Sequence, residues 1–307
     1  MPTDDHDDVL LIDIAASLSS PPFLPRKPAA APVTAPFVVS EPRSGVPFDQ
    51  GLVDRYEARK QWIHSRLALL QSTFKARFPL KPSFPDEDLK SRPSDDDGAP
   101  DLLAYQANLG AAWTINSLRD TEISVDLTAA ALQELSLVDI YGIVHYNPLP
   151  FWLTLKLNIS KPYEYMIPPR SSFLLGPFTS TIPVFTAFAG ATAPPGLDFI
   201  LLDPPWPNRS AHRARHQHAY KTSTFDAYDL FKLGVPRLLR QDAAGLVGIW
   251  VTNSSKWRAF VLDKLFAAWK LRPVAEWLWV KITVDGEPIF NLDNIARKPY
   301  ESLILGR

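Results

Sequence analysis

Cysteine is absent from all 307 residues, which rules out disulfides, thiolate nucleophiles and cysteine-ligated zinc or iron–sulfur sites and leaves the redox compartment open. An excess of either charge is lacking too: 32 Lys and Arg stand against 33 Asp and Glu, a formal net charge of −1. A global basic field for nucleic acid is therefore excluded, and any cationic surface has to be local. No segment approaches the ~18–20 apolar residues of a membrane-spanning helix. The N-terminal stretch MPTDDHDDVLLIDIAASLSSPPF is acidic where a secretory leader needs positive charge. An intracellular soluble protein is the expectation, and the sequons at Asn158, Asn208 and Asn253 read as chance matches.

Proline, by contrast, is abundant, with 30 residues crowded towards the first third of the chain. Residues 1–46 are rich in Pro, Ala and Ser without sustained periodicity and read as a disordered tail. Residues 47–160 form an accessory region. In it Leu52, Tyr56, Ile63, Leu67, Leu70, Phe74 and Phe78 recur at helical spacing, so a long helix is expected over 51–78. The same segment carries Arg55, Arg59, Lys60, Arg66, Lys75 and Arg77, which fit either a solvated basic face or a nucleic-acid contact. An acidic exposed linker follows over 79–100. A further helix is expected near 128–137, and FWLTLKLNI (151–159) alternates as a half-buried strand.

Strands are expected at 198–203, 246–252, 275–282 and 301–305, with helices at about 224–234 and 254–270. Asn253 or Ser254 is a candidate N-cap for the second helix. Alternating apolar strands and helices point to the α/β class, with a sheet covered on both faces. Ligands in such sheets bind beyond the carboxyl ends of strands, where Asp203, Thr252–Asn253 and Lys281 fall.

The stretch FILLDPPWPNRS (199–210) drives an apolar run into a carboxylate, two prolines and a large aromatic. One reading is a loop with an aromatic plug. The other is a site for an exocyclic amine on a planar ring. Such an amine is a poor nucleophile because its lone pair is delocalised. The Asp203 carboxylate and the Pro204 carbonyl can accept its two N–H bonds, while Pro204 and Pro205 hold those acceptors still. Trp206 offers a face on which an extruded base can stack. Positioning for in-line attack is then the main contribution expected.

The tetrad resembles the [DNS]PP[YFW] signature of amino-group methyltransferases that use S-adenosylmethionine. With WVTN (250–253), AEWLWVKI (275–282) and RKPYESLILGR (297–307), it resembles the methyltransferase-like (METTL) adenine-N6 methyltransferases. IPPRSSFLL (167–175) narrows the resemblance to the methyltransferase-like-four branch. The resemblance implies a permuted Rossmann-like class I methyltransferase fold over 161–307, preceded by a mostly helical N-terminal extension. It implies that Asp203 contacts both the target amine and the cofactor's amino group, with Pro204, Pro205 and Trp206 cradling the adenine. Ile167, Pro168 and Pro169 would approach the cofactor adenine through their backbone, and Lys298 would hold the cofactor carboxylate. Tyr220 and Glu276 would line the target site. Structural alternatives stand beside these roles: Glu276 as an edge charge, Lys298 as a loop lysine, Tyr220 as core and Asn253 as a cap.

The loop NRSAHRARHQHAYK (208–221) gathers Arg209, Arg213, Arg215 and Lys221 with three of the chain's six histidines. Beside a base-handling tetrad it reads as a phosphate contact, with a plain solvated loop as the alternative. His212 and His216 at i,i+4 lack a following carboxylate, so a metal ranks last and none is expected. The family pattern continues past LILGR into an Arg-Asn pair and a Trp-Gly-Asn-Glu run. The sequence here stops at Arg307, so the expectation is a sheet without its C-terminal strands and a cofactor pocket open on one side. The expected function is methyl transfer to adenine N6 in RNA, or in DNA, in the nucleus and also the cytoplasm, with a protein partner docking through the N-terminal region. The rival expectations are a non-catalytic nucleic-acid-binding paralogue, an inactive truncated product, and a protein scaffold.

Overall fold

The computed structural model describes residues 33, 35–38, 50–73, 75, 124–126, 134–158, 162–207, 225–242, 244–294 and 297–307. The chain divides into two units: residues 1–93, 251–258 and 276–303 form one, and 94–250, 259–275 and 304–307 the other. The chain crosses between them inside three strands, β8 (Leu246–Val251), β9 (Pro273–Val280) and β10 (Tyr300–Gly306).

The first unit is organised by helix α1, Gln50–Thr73. Its inward stripe runs through Tyr56, Arg59, Lys60, Ile63, Arg66, Leu67 and Leu70, which is helical spacing. Ile63 (1% exposed) packs with Leu292 and Tyr300, flanked by Leu67, Leu278 and Val280. The basic residues thus do not share one solvated face. Arg59 pairs with Glu276 and Lys60 with Asp293, while Arg55 stays exposed. Part of the segment expected to be disordered is pinned to this unit. The Phe37 N–H donates to the Ile289 carbonyl at 2.8 Å and the Val284 N–H to the Val33 carbonyl at 2.9 Å. The Phe37 ring also meets Phe290 at 5.7 Å.

The second unit adds strands to the expected helical extension, whose described helical part is chiefly α1. Its described residues from 124 to 174 are dominated by strands: β1 (Ser124–Asp126), β2 (Glu134–Ser136), β3 (Val144–Asn147), β4 (Leu153–Asn158), β5 (Pro162–Ile167) and β6 (Ser171–Leu174). They form two three-stranded sheets, ordered β1-β3-β6 and β2-β4-β5. The expected helix near 128–137 gives way over its described residues to β2, with a short helix only at Leu137–Ile140. The expected 151–159 strand is β4, which pairs antiparallel with β5 from Leu153↔Ile167 to Asn158↔Pro162. Leu155 and Leu157 alternate into a core with Ile140 and Ile167. A helix over Phe178–Thr192 follows.

The remaining strands, β7 (Phe199–Leu202) with β8, β10 and β9, form one sheet in the order β7-β8-β10-β9. β7 and β8 are parallel, from Phe199↔Leu246 to Leu202↔Ile249. β9 and β10 are antiparallel, since Arg272 and Arg307 exchange both backbone bonds, at 2.8 and 3.0 Å. All four expected strands are present within two residues at each end. The helix expected at 224–234 is a 3-10 helix over Ala227–Leu233, capped by Asp226. The helix expected at 254–270 changes pitch. It is α over Ser255–Ala259, π over Phe260–Leu265 and α again over Phe266–Ala268. It ends at Lys270, in left-handed backbone (φ 57°), with the Leu271 N–H on the Phe266 carbonyl at 2.8 Å. That bond pattern is a Schellman closure made without glycine.

Candidate active site

β7 is an edge strand, and its apolar residues do not all face a core. Ile200 is buried at 7% exposed, whereas Phe199 and Leu201 are 48% and 52% exposed. The strand ends at Leu202, so Asp203 is the first residue past its carboxyl end. There the tetrad turns tightly: the Trp206 N–H donates to the Pro204 carbonyl at 2.8 Å across Pro205. A bond from i+2 to i closes a three-residue turn, and a proline at its centre removes the freedom to open it. The Pro204 carbonyl is therefore already bonded, with its second lone pair left to accept another donor.

Trp206 is buried, at 6% exposed. Its indole N–H donates to the Trp250 carbonyl at 2.8 Å, and its ring meets Phe260 edge-on at 6.1 Å and 76°. In this arrangement the ring is a strut between the turn, the end of β8 and the following helix. Its faces are not open for stacking a base. Asp203 differs: it is exposed, and no hydrogen bond or ion pair occupies its carboxylate among the described residues. The Ile167–Pro169 segment is braced, since the Asn147 side-chain amide donates to the carbonyls of Ile167 (3.3 Å) and Pro168 (2.9 Å).

In the first unit, Glu276 sits on the terminal strand β9, with its carboxylate paired rather than open. Arg258 donates two bonds to its carboxylate, at 2.7 and 2.8 Å, and Arg59 adds a third. Burial alone would raise its pKa, but the Arg258 hydrogen bonds and the Arg59 charge outweigh that and hold it below the usual carboxylate range. Lys298 lies 4.4 Å over the Tyr56 ring and donates to the Leu292 carbonyl at 3.1 Å. Burial lowers its pKa, against the pull of Glu57 and Asp293. Asn253 does not cap the next helix with its side chain. Its amide donates to the Tyr300 carbonyl at 2.7 Å, while its own carbonyl accepts the Tyr56 hydroxyl at 2.9 Å. Ser254 takes the N-cap place, its carbonyl accepting the Arg258 N–H at 3.1 Å.

Tyr220, Arg209, Arg213 and Arg215 lie outside the described residues. Sequence reasoning missed Arg258 entirely and did not connect Arg59 with Glu276. Their separations of 18 and 217 positions leave no local signal.

An α/β sheet carrying Asp-Pro-Pro-Trp at a strand tip defines the class, a class I methyltransferase domain. Residues 197–307 match the MT-A70 family model. The chain carries an MT-A70 domain over these residues and is similar to METTL4-type proteins. It is 31% identical over 267 residues to the human "N(6)-adenine-specific methyltransferase METTL4", covering 85% of this chain and 52% of that protein. It is 38% identical over 148 residues to the Pyricularia oryzae "N6-methyladenosine RNA methyltransferase MTA1", covering 47% and 38%. Against the Caenorhabditis elegans "DNA N6-methyl methyltransferase" identity is 32% over 145 residues, covering 47% and 36%. The chain thus spans about half or less of the length of these relatives.

Proposed function

We propose that the protein transfers a methyl group from S-adenosylmethionine to the N6 amine of adenine in RNA, with DNA as the alternative polymer, on a permuted class I sheet. The observation that carries this is the exposed, unoccupied carboxylate of Asp203 beside a turn locked by Pro205, within the region that matches the family. The cofactor would supply a methyl carbon made electrophilic by its bond to a sulfonium sulfur.

The chain's own part is to hold the amine. Asp203 and the free lone pair of the Pro204 carbonyl accept the two N–H bonds, directing the nitrogen lone pair away from the ring. Held this way, the amine nitrogen would take the methyl carbon as the cofactor's sulfur keeps the pair of the broken bond, and the surplus amine proton would leave afterwards to solvent. No strong base is needed for that order of events. Lys298 would hold the cofactor carboxylate: among the described residues its ammonium makes one hydrogen bond, which leaves donors for it. Glu276, Tyr220 and the arginines at 209, 213 and 215 are proposed on the target side. A location in the nucleus belongs to the same proposal.

Trp206 supports a second reading, a nucleic-acid-binding paralogue without catalysis. Its indole has a structural task that would retain it even where no base is handled. One experiment separates the two: transfer of labelled methyl to adenine-containing RNA by wild type and Asp203→Ala. The enzyme reading expects transfer that falls at least 100-fold in the variant, with RNA affinity retained, as for loss of a transition-state acceptor. RNA binding without transfer by wild type supports the paralogue.

A further inference from the structure

A cleft in the first unit is lined by Arg55 and Arg59 from α1, by Thr252, Ser255 and Arg258 after β8, and by Ser302 of β10. Its walls are fixed to each other. The Tyr56 hydroxyl holds the Asn253 carbonyl at 2.9 Å, and the Asn253 amide holds the Tyr300 carbonyl at 2.7 Å. Among the described residues no carboxylate lines the cleft. The charge does not balance: Glu276 serves both Arg59 and Arg258, and Arg55 adds a third guanidinium. Among the described residues two positive charges are left over. The Arg59 and Arg258 side chains are only 16% and 22% exposed, so water screens that surplus poorly. Ser255 also opens the helical stretch that runs to Ala268, presenting first-turn N–H groups and the positive dipole end.

Guanidinium forks, hydroxyl donors and helix-start N–H groups together select a tetrahedral oxyanion. We infer that this cleft binds a phosphodiester of a nucleic-acid strand, so that α1 contributes directly to nucleic-acid binding. The inference rests on the nucleic-acid reading above and adds a positioning contact to it. Arg55 is exposed at the mouth, which suits a phosphate carried on a polymer.

The test is the affinity of the full chain for a labelled single-stranded RNA of about a dozen nucleotides, measured by anisotropy across a salt series. Two variants keep the fold. Arg55→Gln alters an exposed side chain, and Ser255→Asp places a carboxylate where a helix start welcomes one. Arg55→Gln should weaken binding several-fold at low salt and flatten the log–log salt slope by about 0.7, the value for one phosphate contact on a single strand. Ser255→Asp should lower affinity by at least tenfold. If wild type and both variants bind and methylate RNA alike, the cleft assignment fails and the enzyme reading stands. If wild type neither binds RNA nor transfers methyl, both fall together. Inorganic phosphate forms a separate arm: a rise in wild-type melting temperature lost in Ser255→Asp, with RNA affinity unchanged in both variants, would mark a free-anion site and overturn the nucleic-acid assignment.

Discussion

Among the described residues Glu276 alone pairs with two guanidinium groups, so its replacement should be felt beyond one lost contact. Glu276→Gln keeps the shape but leaves Arg59 and Arg258 partly buried without a counter-charge. A loss of about 1–3 kcal/mol is expected from urea unfolding, in the range for hydrogen bonds to charged partners. The expected direction with pH follows from its lowered pKa. The ionised form stabilises the fold above the ordinary carboxylate range, and that contribution is lost as pH falls through the folded value. The variant should lack this acid-side loss. At this scale Asp203 was legible because the strand, the prolines and the carboxylate are adjacent in sequence. The true place of Trp206 was not, because its partners Trp250 and Phe260 lie 44 and 54 positions away. An aromatic beside a polar turn looks equally ready to stack outward or to plug inward.

Elements were legible where one period dominated. β4 shows its alternation openly, and the four later strands are short apolar runs bounded by turn residues. The Phe178–Thr192 helix left no such trace. Its sequence, FTSTIPVFTAFAGAT, is rich in Thr and Phe and contains Pro183, so tertiary packing overrides a weak local preference. The π segment of the 255–268 helix was equally invisible. Its buried residues Phe260, Val261, Leu265 and Phe266 step by five rather than four, which a search for α periodicity blurs into a uniformly apolar run. That turn brings Phe266 against β10, where a Cβ on Gly306 would lie 2.6 Å from the ring. Phe266 is fully buried and has nowhere to retreat. Gly306→Ala should therefore cost about 1–3 kcal/mol, the range for overpacking, read as a lower melting temperature. A variant melting as high as wild type would mean that the ring can shift after all.

At the scale of the molecule, the two units should respond to acid in different windows. His145, in the second unit, is 2% exposed and stacks on Phe173 at 5.3 Å. Burial pushes its pKa below 6.5, with Asp139 pulling it back only in part. The neutral ring stabilises the fold fully above that value, and the contribution is lost as pH falls below it. Thermal stability should thus begin to decline below about pH 6.5, well before the Glu276 window opens. His145→Phe should flatten that first decline and leave the second in place. A decline of equal size in the variant would assign it to another group.

The route of the chain between the units has a practical consequence for taking the protein apart. The first unit is assembled from residues 1–93, 251–258 and 276–303. A fragment ending before Val251 would carry α1 without Asn253, Arg258, Glu276 or Tyr300, stripping it of the partners that anchor its inward stripe. A fragment starting after residue 93 would keep those residues and lose the helix that covers them. Neither half is a domain in the genetic sense, and a single proteolytic cut removes parts of both. Dissection by truncation would yield two damaged pieces, whereas point substitutions on an intact chain leave each unit whole.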